Sequence, residues 1–352
     1  MKKYTDFVDL LKALIQTQSL SGQESGTASI IEAFFERRNI STQRIHNNII
    51  AKNQNFKEGL PLIVLNSHHD TVALGDQWTY DPLGATIDDG RLYGRGSNDA
   101  GGPLVGLIAA FCELYEKEIP YNLMIIASGE EENFGDNGVK AVLHQLALSP
   151  SLAIIGEPTS LSLAVAEKGL IVIDAQTKGI SGHAARDSGT NALYLATEDI
   201  EWIKNIDWQR ESDFLGRVKT TVTQISSGYQ HNVIPDLCSY VIDCRVNEHY
   251  TLEEVLSTLD KGTHATLKPR SLKWRPNGVA LSHPIVLKAK DVGLPIVGSP
   301  TLSDQVHFTC PSVKIGPGDS KRSHTADEYI YLSELYDGIQ VYCSLLENLV
   351  IT

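Results

Sequence analysis

The chain has 352 residues, of which 42% are hydrophobic and 21% charged, as in soluble globular proteins with more than one domain. Its 30 basic and 43 acidic residues give a formal net charge of −13, which argues against a nucleic acid or an anionic membrane as partner. The five cysteines are odd in number and include no CxxC pair. No apolar run approaches the length of a membrane span, which is about 20 residues. These features predict a cytoplasmic protein without disulfides.

The first 20 residues predict an amphipathic helix rather than a signal peptide, because acidic residues interrupt the apolar ones. Four short apolar runs follow, and each leads into residues that can carry chemistry. These are 61–66 with His68 and Asp70, 123–127 with Glu130 and Glu131, 152–155 with Glu157, and 312–315 with His324. Such runs predict strands of a mostly parallel sheet flanked by helices, among them 104–114 and 332–349. Functional groups gather beyond the carboxyl ends of parallel strands, so we expect one site at one edge of this sheet.

The middle of the chain has a different pattern. Its predicted elements are strand 169–177, helix 191–203, strand 218–225, strand 237–245, helix 252–259 and strand 265–274. That order, βαββαβ, is the ferredoxin-like pattern. We therefore predict an α/β protein in which segments 1–166 and 277–352 form one catalytic domain, with a smaller domain, 167–276, inserted between them.

Single residues of the predicted site allow more than one interpretation. His68 and Asp70 lie two apart, so on a strand they share a side, and Asp70 could orient a His68 ring that binds a metal. The alternative is an ordinary surface histidine near a turn. Asp99, in a glycine-rich segment before an apolar helix, could be a metal ligand, but helix capping is the simpler interpretation when it is taken alone.

The acidic strand end at 130–132 also allows two interpretations. Adjacent carboxylates repel one another unless a positive charge lies among them, and a divalent metal would supply it. One glutamate of the pair Glu130 and Glu131 could then bind the metal while the other acts as a general base. The alternative is a solvated acidic turn. Glu157 and His324, taken singly, could be an ordinary strand-end carboxylate and a loop histidine.

The combination of these residues favours a metal site. Three predicted strands deliver nitrogen and oxygen donors to one sheet edge, and such donors without thiolates suit catalytic zinc, cobalt or manganese. Asp99, Glu131 and Glu157 would contribute three negative charges, which two divalent cations nearly balance. We therefore expect two metal ions per chain.

Ordered motifs along nearly the whole chain resemble the M20-type co-catalytic metallopeptidase family. That family includes acetylornithine deacetylase, succinyl-diaminopimelate desuccinylase, aminoacylase and carboxypeptidase G. The motifs are SHHDTV (67–72), YDPLGATIDDGRLYGRGSNDAGG (80–102), ASGEEE (127–132), GEPT (156–159), SGHAA (181–185), NVIPD (232–236), CRV (244–246), SD (303–304) and SHTADEYI (323–330). The similarity is greatest to acetylornithine deacetylase-like members.

The resemblance implies a set of metal ligands. His68 and Glu157 would bind one ion, Glu131 and His324 a second, and Asp99 would bridge both. Zinc is the metal that we expect, with cobalt and manganese as alternatives.

The resemblance also implies roles for residues that do not bind metal. Glu130 would be the general base, and Asp70 would orient the metal-binding histidine. In the inserted domain, which resembles the family's lid and dimerisation domain, His183 would stabilise the oxyanion, often from the partner subunit. Asn232 and Arg245 would contact substrate, Arg245 by pairing with a carboxylate. A homodimer through the inserted domain follows from the same resemblance.

One departure from the family pattern concerns the segment after the glycine-rich loop. Family members commonly have Asp-Met-Lys-Gly, whereas this chain has Asp-Ala-Gly-Gly at 99–102, so the lysine is missing. Asp99 itself is kept, and so are the other motif ligands.

The predicted activity is removal of the acyl group from an N-acyl-L-amino acid. The expected substrate is N-acetyl-L-ornithine or a close relative (acetylcitrulline, succinylornithine or acetyl-lysine), in arginine biosynthesis. The alternatives are a succinyl-diaminopimelate desuccinylase, a di- or tripeptide exopeptidase of the same family and, more remotely, a non-catalytic metal-binding homologue.

Overall fold

The computed structural model describes residues 4–186 and 188–351. Its helices are α1 (Thr5–Ile15), α2 (Ser25–Glu36), α3 (Gly102–Leu114), α4 (Val139–Gln145), α5 (Ala192–Asn205), α6 (Leu252–Gly262), α7 (Pro284–Asp291) and α8 (Leu332–Leu346). The strands of the first half are β1 (Thr42–Ile45), β2 (Asn48–Lys52), β3 (Leu62–His68), β4 (Thr86–Asp88), β5 (Arg91–Tyr93), β6 (Asn122–Ser128), β7 (Leu152–Gly156), β8 (Leu163–Glu167) and β9 (Gly169–Lys178). Those of the second half are β10 (Gly182–His183), β11 (Lys219–Ser227), β12 (Val233–Ile234), β13 (Leu237–Val246), β14 (Thr266–Pro269), β15 (Asn277–Gly278), β16 (Ile296–Ser299), β17 (Ser312–Ile315) and β18 (Tyr329–Tyr331).

The chain divides into two compact units. The first comprises the residues up to 165, 278–297 and those from 303 onward, and the second comprises 166–277 and 298–302. No sequence signal predicted that the short segment 298–302 belongs to the second unit. Among the described residues, no helix is both long and apolar enough to cross a membrane.

The first unit contains a large sheet with the strand order β1-β2-β6-β3-β7-β17-β8. Its central strands β6, β3, β7 and β17 run parallel, while β1, β2 and β8 are antiparallel to their neighbours. The strands β3, β6 and β7 are buried along almost their whole length, because helices cover a parallel sheet on both faces. Helix α3 is buried on nearly every side and packs against β3, β6 and α8. This architecture confirms the predicted mostly parallel sheet flanked by helices.

The register of the parallel strands determines where the candidate site lies. His68, the last residue of β3, pairs with Ser128, the last residue of β6. On the other side, Ile155 of β7 pairs with Asn66 of β3. The residues that follow β3, β6 and β7 therefore leave the sheet at the same edge, as the sequence predicted.

The second unit contains a four-stranded antiparallel sheet in the order β11-β13-β9-β14. Helices α5 and α6 pack against it, and the chain order β9-α5-β11-β13-α6-β14 is the predicted βαββαβ arrangement. Strand β13 alternates between buried and partly exposed residues because only one face of this sheet is covered. The role of this unit as a lid or dimerisation domain stays a prediction.

Candidate active site

His68 lies at the carboxyl end of β3 with only 1% of its surface exposed. Its Nδ1 donates a hydrogen bond to the backbone carbonyl of Asp70 at 2.9 Å, so Nε2 is the ring nitrogen that faces the cluster. That Nε2 lies 3.4 Å from Asp99 Oδ1, 3.9 Å from Glu131 Oε2 and 3.9 Å from Glu157 Oε1. One imidazole nitrogen and three carboxylates thus meet at one buried point.

Two overlapping groups of donors at this position have the spacing of metal ligands. Within each group the donor atoms lie within 4.8 Å of one another, and the groups are His68, Asp99 and Glu132, and His68, Glu131 and Glu157. His324 extends the first group, because its Nε2 lies 3.0 Å from Glu132 Oε1 and 3.6 Å from Asp99 Oδ2. Imidazole nitrogens and carboxylate oxygens without thiolates are the donors of catalytic zinc and related ions.

The electrostatics of the cluster also fit bound cations. Burial raises the pKa of Glu157 to about 8, with the nearby charge of Asp99 adding to the shift. Burial likewise raises the pKa of Glu131 well above its usual value, although His68 opposes the shift. Burial alone would lower the pKa of His68, but Glu131 and the other carboxylates outweigh it and raise that pKa. Without metal, His68, Glu131 and Glu157 therefore favour their protonated forms, and divalent cations would displace those protons.

Asp70 is completely buried and holds the backbone of the two glutamates that face the cluster. Its Oδ1 accepts a hydrogen bond from Glu131 N and its Oδ2 accepts one from Glu132 N, both at 3.1 Å. Ser21 Oγ donates to Asp70 Oδ2 at 2.7 Å, while His68 Nδ1 lies 3.5 Å from Oδ1. The carboxylate of Asp70 therefore positions the 131–132 backbone at least as directly as it orients the histidine.

Glu130 faces away from the cluster. Its backbone is in the left-handed region, with φ 57°, and its N–H donates to Glu24 Oε1 at 3.1 Å. Its carboxylate accepts hydrogen bonds from the backbone N–H and the side-chain Nδ2 of Asn137, both at 3.1 Å. A Cβ at Gly135 would lie 1.9 Å from Glu130 Oε2, so a glycine is required to close this turn. Glu130 thus stabilises the turn that follows β6.

The geometry differs from the predicted assignments by one residue. The sequence predicted Glu130 as the base and Glu131 as the partner of His324, but His324 contacts Glu132. Among the described residues, neither donor group includes Glu130. The physical reason is the left-handed turn at Glu130, which directs the next two side chains, not the first two, toward the cluster.

The loop that carries Asp99 explains the missing lysine. Asp99 does not cap α3, because Gly101 occupies the N-cap position and no side chain caps this helix. A Cβ at Gly101 would lie 2.4 Å from the carbonyl oxygen of Gly96 and 2.8 Å from Leu11 Cδ1. The backbone and α1 therefore leave no room for a lysine at position 101 in this chain.

In the second unit, the predicted residues His183 and Asn232 are neighbours. His183 pairs with Val233 across the short β10–β12 ladder, and Ala184 N donates to the carbonyl of Asn232 at 3.0 Å. His183 is exposed, and its Nδ1 accepts a hydrogen bond from Ala185 N at 3.1 Å. The antiparallel pair of β10 and β12 thereby brings His183 close to Asn232.

Arg245, predicted to bind a substrate carboxylate, already has a carboxylate partner. Its Nε and Nη2 donate to the two carboxylate oxygens of Asp243 at 2.9 and 3.1 Å. By contrast, Oδ1 of Asn232 is buried and accepts no hydrogen bond within the described part of the chain. Of these two predicted substrate contacts, Asn232 therefore has the polar atom in need of a partner.

Several carboxylates near the site had no role assigned from the sequence. They are the partly buried Glu132 and the buried Glu24, Asp304 at the carboxyl edge of the sheet, and Glu328 just before β18. Asp304 accepts a hydrogen bond from Ser128 Oγ at 2.6 Å, and burial raises its pKa to about 6. Glu132, Asp304 and Glu328 lie within the family motifs, and that position is the only sequence signal that could have indicated them. Glu24 lies outside the motifs.

Comparison with known proteins places this site in a family. The profile of Peptidase family M20/M25/M40 matches residues 64–348, which is most of the chain. The chain belongs to the M20 family. It is therefore a hydrolase of a family whose members use dinuclear metal centres, and the described donor groups provide a candidate site for such a centre.

Individual M20 relatives carry different names. The chain is 26% identical to acetylornithine deacetylase of Proteus mirabilis, over 98% of this chain and 97% of that protein. It is 28% identical to succinyl-diaminopimelate desuccinylase 2 of a Ruegeria species, over 74% of this chain and 70% of that protein. A dinuclear metal binding M20 peptidase from Bacillus subtilis shares the fold, with a TM-score of 0.74 at 16% identity and 97% of each chain covered.

Proposed function

We propose that this M20 hydrolase removes the acyl group from an N-acyl-L-amino acid, namely N-acetyl-L-ornithine or a close relative, in arginine biosynthesis. The observation that carries the proposal is the pair of donor groups that share His68 at the sheet edge. The relative named acetylornithine deacetylase matches this chain over almost its full length, which favours an acylated amino acid over a longer peptide.

We assign the ligands from the contacts in the cluster. His68 and Glu157 would hold one ion, and Glu132 and His324 a second, because His324 Nε2 lies 3.0 Å from Glu132 Oε1. Asp99 would bridge them, since its two carboxylate oxygens lie 3.4 Å from His68 Nε2 and 3.6 Å from His324 Nε2. Zinc is the proposed metal, with cobalt and manganese as alternatives.

Glu131 is the proposed general base. With Glu132 engaged by His324, Glu131 is the remaining carboxylate of the acidic turn that faces the cluster, and Asp70 fixes its backbone. When bound, two divalent ions polarise the scissile carbonyl and make a water molecule more acidic. Glu131 takes a proton from the attacking water and delivers it to the leaving amine. The amine departs as the free amino acid and the acyl group as a carboxylate.

His183, Asn232 and Arg245 remain proposals that rest on the family resemblance. His183 would stabilise the oxyanion, and Asn232 would contact the substrate. Arg245 uses Nε and Nη2 for Asp243, so it would bind a substrate carboxylate through Nη1.

A homodimer through the second unit is also proposed. Strand β11 is at an edge of its sheet, so its outer backbone groups can pair with those of a second copy. Ile225 on this strand and Tyr194 on α5 are 52% and 68% exposed, and a second copy could cover them. The measurement is molar mass in solution by light scattering.

The alternative activity is desuccinylation, which the Ruegeria relative favours, or peptide cleavage. The experiment is a substrate panel of acetylated and succinylated ornithine, citrulline, lysine and diaminopimelate, with unacylated dipeptides as the competing class. Each assay is repeated after chelation and after zinc or cobalt is restored. Cleavage of an acetylated amino acid that requires metal supports the proposal, and turnover of the dipeptides alone overturns it.

A further inference from the structure

Glu328 is a buried residue whose carboxylate contacts the backbone of Asp99, the candidate bridging ligand. It is 1% exposed and lies four residues after His324, immediately before β18. Its Oε1 accepts hydrogen bonds from the backbone N–H groups of Asn98 and Asp99, both at 3.0 Å. The carboxylate therefore joins the loop that carries Asp99 to the segment that carries His324.

The other oxygen of Glu328 has a charged partner. Arg95 Nη1 donates to Glu328 Oε2 at 2.8 Å, and the two side chains are 4% and 0% exposed. A buried carboxylate without a partner would be costly, and the guanidinium neutralises it. Arg95 also donates to the carbonyl of Leu74 at 3.2 Å, which fixes the guanidinium in place.

Asn98 joins the same two loops at a second point. Its Oδ1 accepts a hydrogen bond from Asp319 N at 3.0 Å, and its Nδ2 donates to the carbonyl of Asp319 at 3.1 Å. The main chain at Asp99 is thus held on one side through Asn98 and on the other by Glu328. Between these two connections, Asp99 Oδ2 lies 3.6 Å from His324 Nε2.

A carboxylate is the side chain that these contacts require. Glu328 accepts two backbone N–H groups on one oxygen and a guanidinium on the other, and it donates nothing. A glutamine of the same shape would keep one acceptor oxygen but would place an NH₂ against either the guanidinium or the two backbone N–H groups. Glu328→Gln therefore removes part of this network without changing the volume of the side chain.

We propose that Glu328 is a positioning residue for Asp99. It holds the main chain so that the Asp99 carboxylate lies between His68 and His324, and it touches neither the proposed ions nor the substrate. This inference rests on the proposed function, because it concerns the ions that the Asp99 carboxylate would bridge. The ion at Glu132 and His324 depends more on the position of Asp99, since the other ion also has the buried His68 and Glu157.

The test is Co²⁺ binding to the full chain after its metal has been removed with a chelator. Calorimetry gives the affinity and stoichiometry, and visible absorption reports the coordination of the bound cobalt. We expect Glu328→Gln to weaken the second equivalent by about 10–100-fold, to change its absorption, and to leave the first equivalent nearly unchanged. The matched control is Asp327→Asn, a carboxylate-to-amide change one residue away whose contacts are with Thr79 and Tyr80.

The possible outcomes are distinct. If folded Glu328→Gln binds both Co²⁺ equivalents with wild-type affinity, the inference is overturned and the proposed function stays intact. The same holds if Asp327→Asn weakens the second equivalent as much as Glu328→Gln does. Failure of the wild-type chain to bind two Co²⁺ ions overturns the proposed function and this inference with it. If Glu328→Gln does not fold, the double variant Arg95→Gln/Glu328→Gln, which leaves no lone buried charge, decides the question by the same titration.

Discussion

The ring nitrogen Nε2 of His324 lies 3.0 Å from Oε1 of Glu132, and this contact determines the proposed arrangement of the acidic turn. In that arrangement, the third of three consecutive glutamates would bind the same ion as His324. The second glutamate, Glu131, is the proposed base, and the carboxylate of the first, Glu130, is bonded within the turn. Three adjacent side chains of one type thus have three different surroundings.

The first prediction concerns metal stoichiometry. Glu132→Gln or His324→Ala should each reduce the bound metal from two ions per chain to about one, because each removes a donor from the second proposed site while His68 and Glu157 keep the first. Elemental analysis of the purified variants measures this. Glu130→Gln is the matched control for the acidic turn and should keep both ions. Loss of an ion in Glu130→Gln but not in Glu132→Gln would contradict the assignment.

The second prediction is a pH dependence of the metal-free protein. Burial raises the pKa of Glu157 to about 8 and that of Glu131 well above its usual value, so between pH 6.5 and 8 the folded chain binds more protons than the unfolded chain. Its free energy of unfolding must then fall as the pH rises through this window, by at most about 1.4 kcal/mol per pH unit for each carboxylate. Thermal unfolding of the chelated protein at both pH values measures the slope.

Two comparisons test the origin of that slope. Restoring zinc or cobalt should flatten it, because bound cations displace the proton from Glu157. Glu157→Gln should flatten it in part without metal. A free energy of unfolding that rises with pH between 6.5 and 8 would show that these carboxylates are ionised in the metal-free fold.

The third prediction tests why the family's lysine is missing. Gly101→Lys should destabilise the first unit by about 1–3 kcal/mol or more, since the new Cβ would lie 2.4 Å from the Gly96 carbonyl oxygen. The measurement is the free energy of unfolding in denaturant. Gly59→Lys is the control: nothing lies within 4 Å of the new Cβ there, so the positive φ of 85° accounts for the cost, about 1–2 kcal/mol. A cost well below about 1 kcal/mol for Gly101→Lys would contradict the packing explanation.

Much of the fold followed from the sequence. The apolar runs of β3, β6, β7 and β17 were predicted as buried strands, and their common edge as the place where His68 and Glu157 meet. These features depend on hydrophobic pattern and on the geometry of parallel sheets, which are local or general.

The rotation of the acidic turn could not be predicted in this way. It depends on Glu24, which accepts the N–H of Glu130 from 106 residues away, and on Asp70, which accepts those of Glu131 and Glu132. Hydrophobic periodicity does not reflect such long-range contacts, so the proposed roles lie one residue later in the chain than the predicted ones.

Some of the remaining contacts could have been predicted from the sequence. The pairing of Arg245 with Asp243 was accessible in principle, because residues two apart on a strand share a face. The domain roles, the homodimer and the cytoplasmic location stay predictions.

The most direct test of the account is kcat for two variants of the acidic turn, Glu131→Gln and Glu130→Gln. Both are measured on the acylated amino acid that the wild type cleaves, at equal metal content. Removal of the general base should lower kcat of Glu131→Gln by about 10²–10⁴-fold with both ions still bound, while Glu130→Gln stays within about tenfold of the wild type. The reverse result, with Glu130→Gln inactive and Glu131→Gln active, would contradict the assignment of the base.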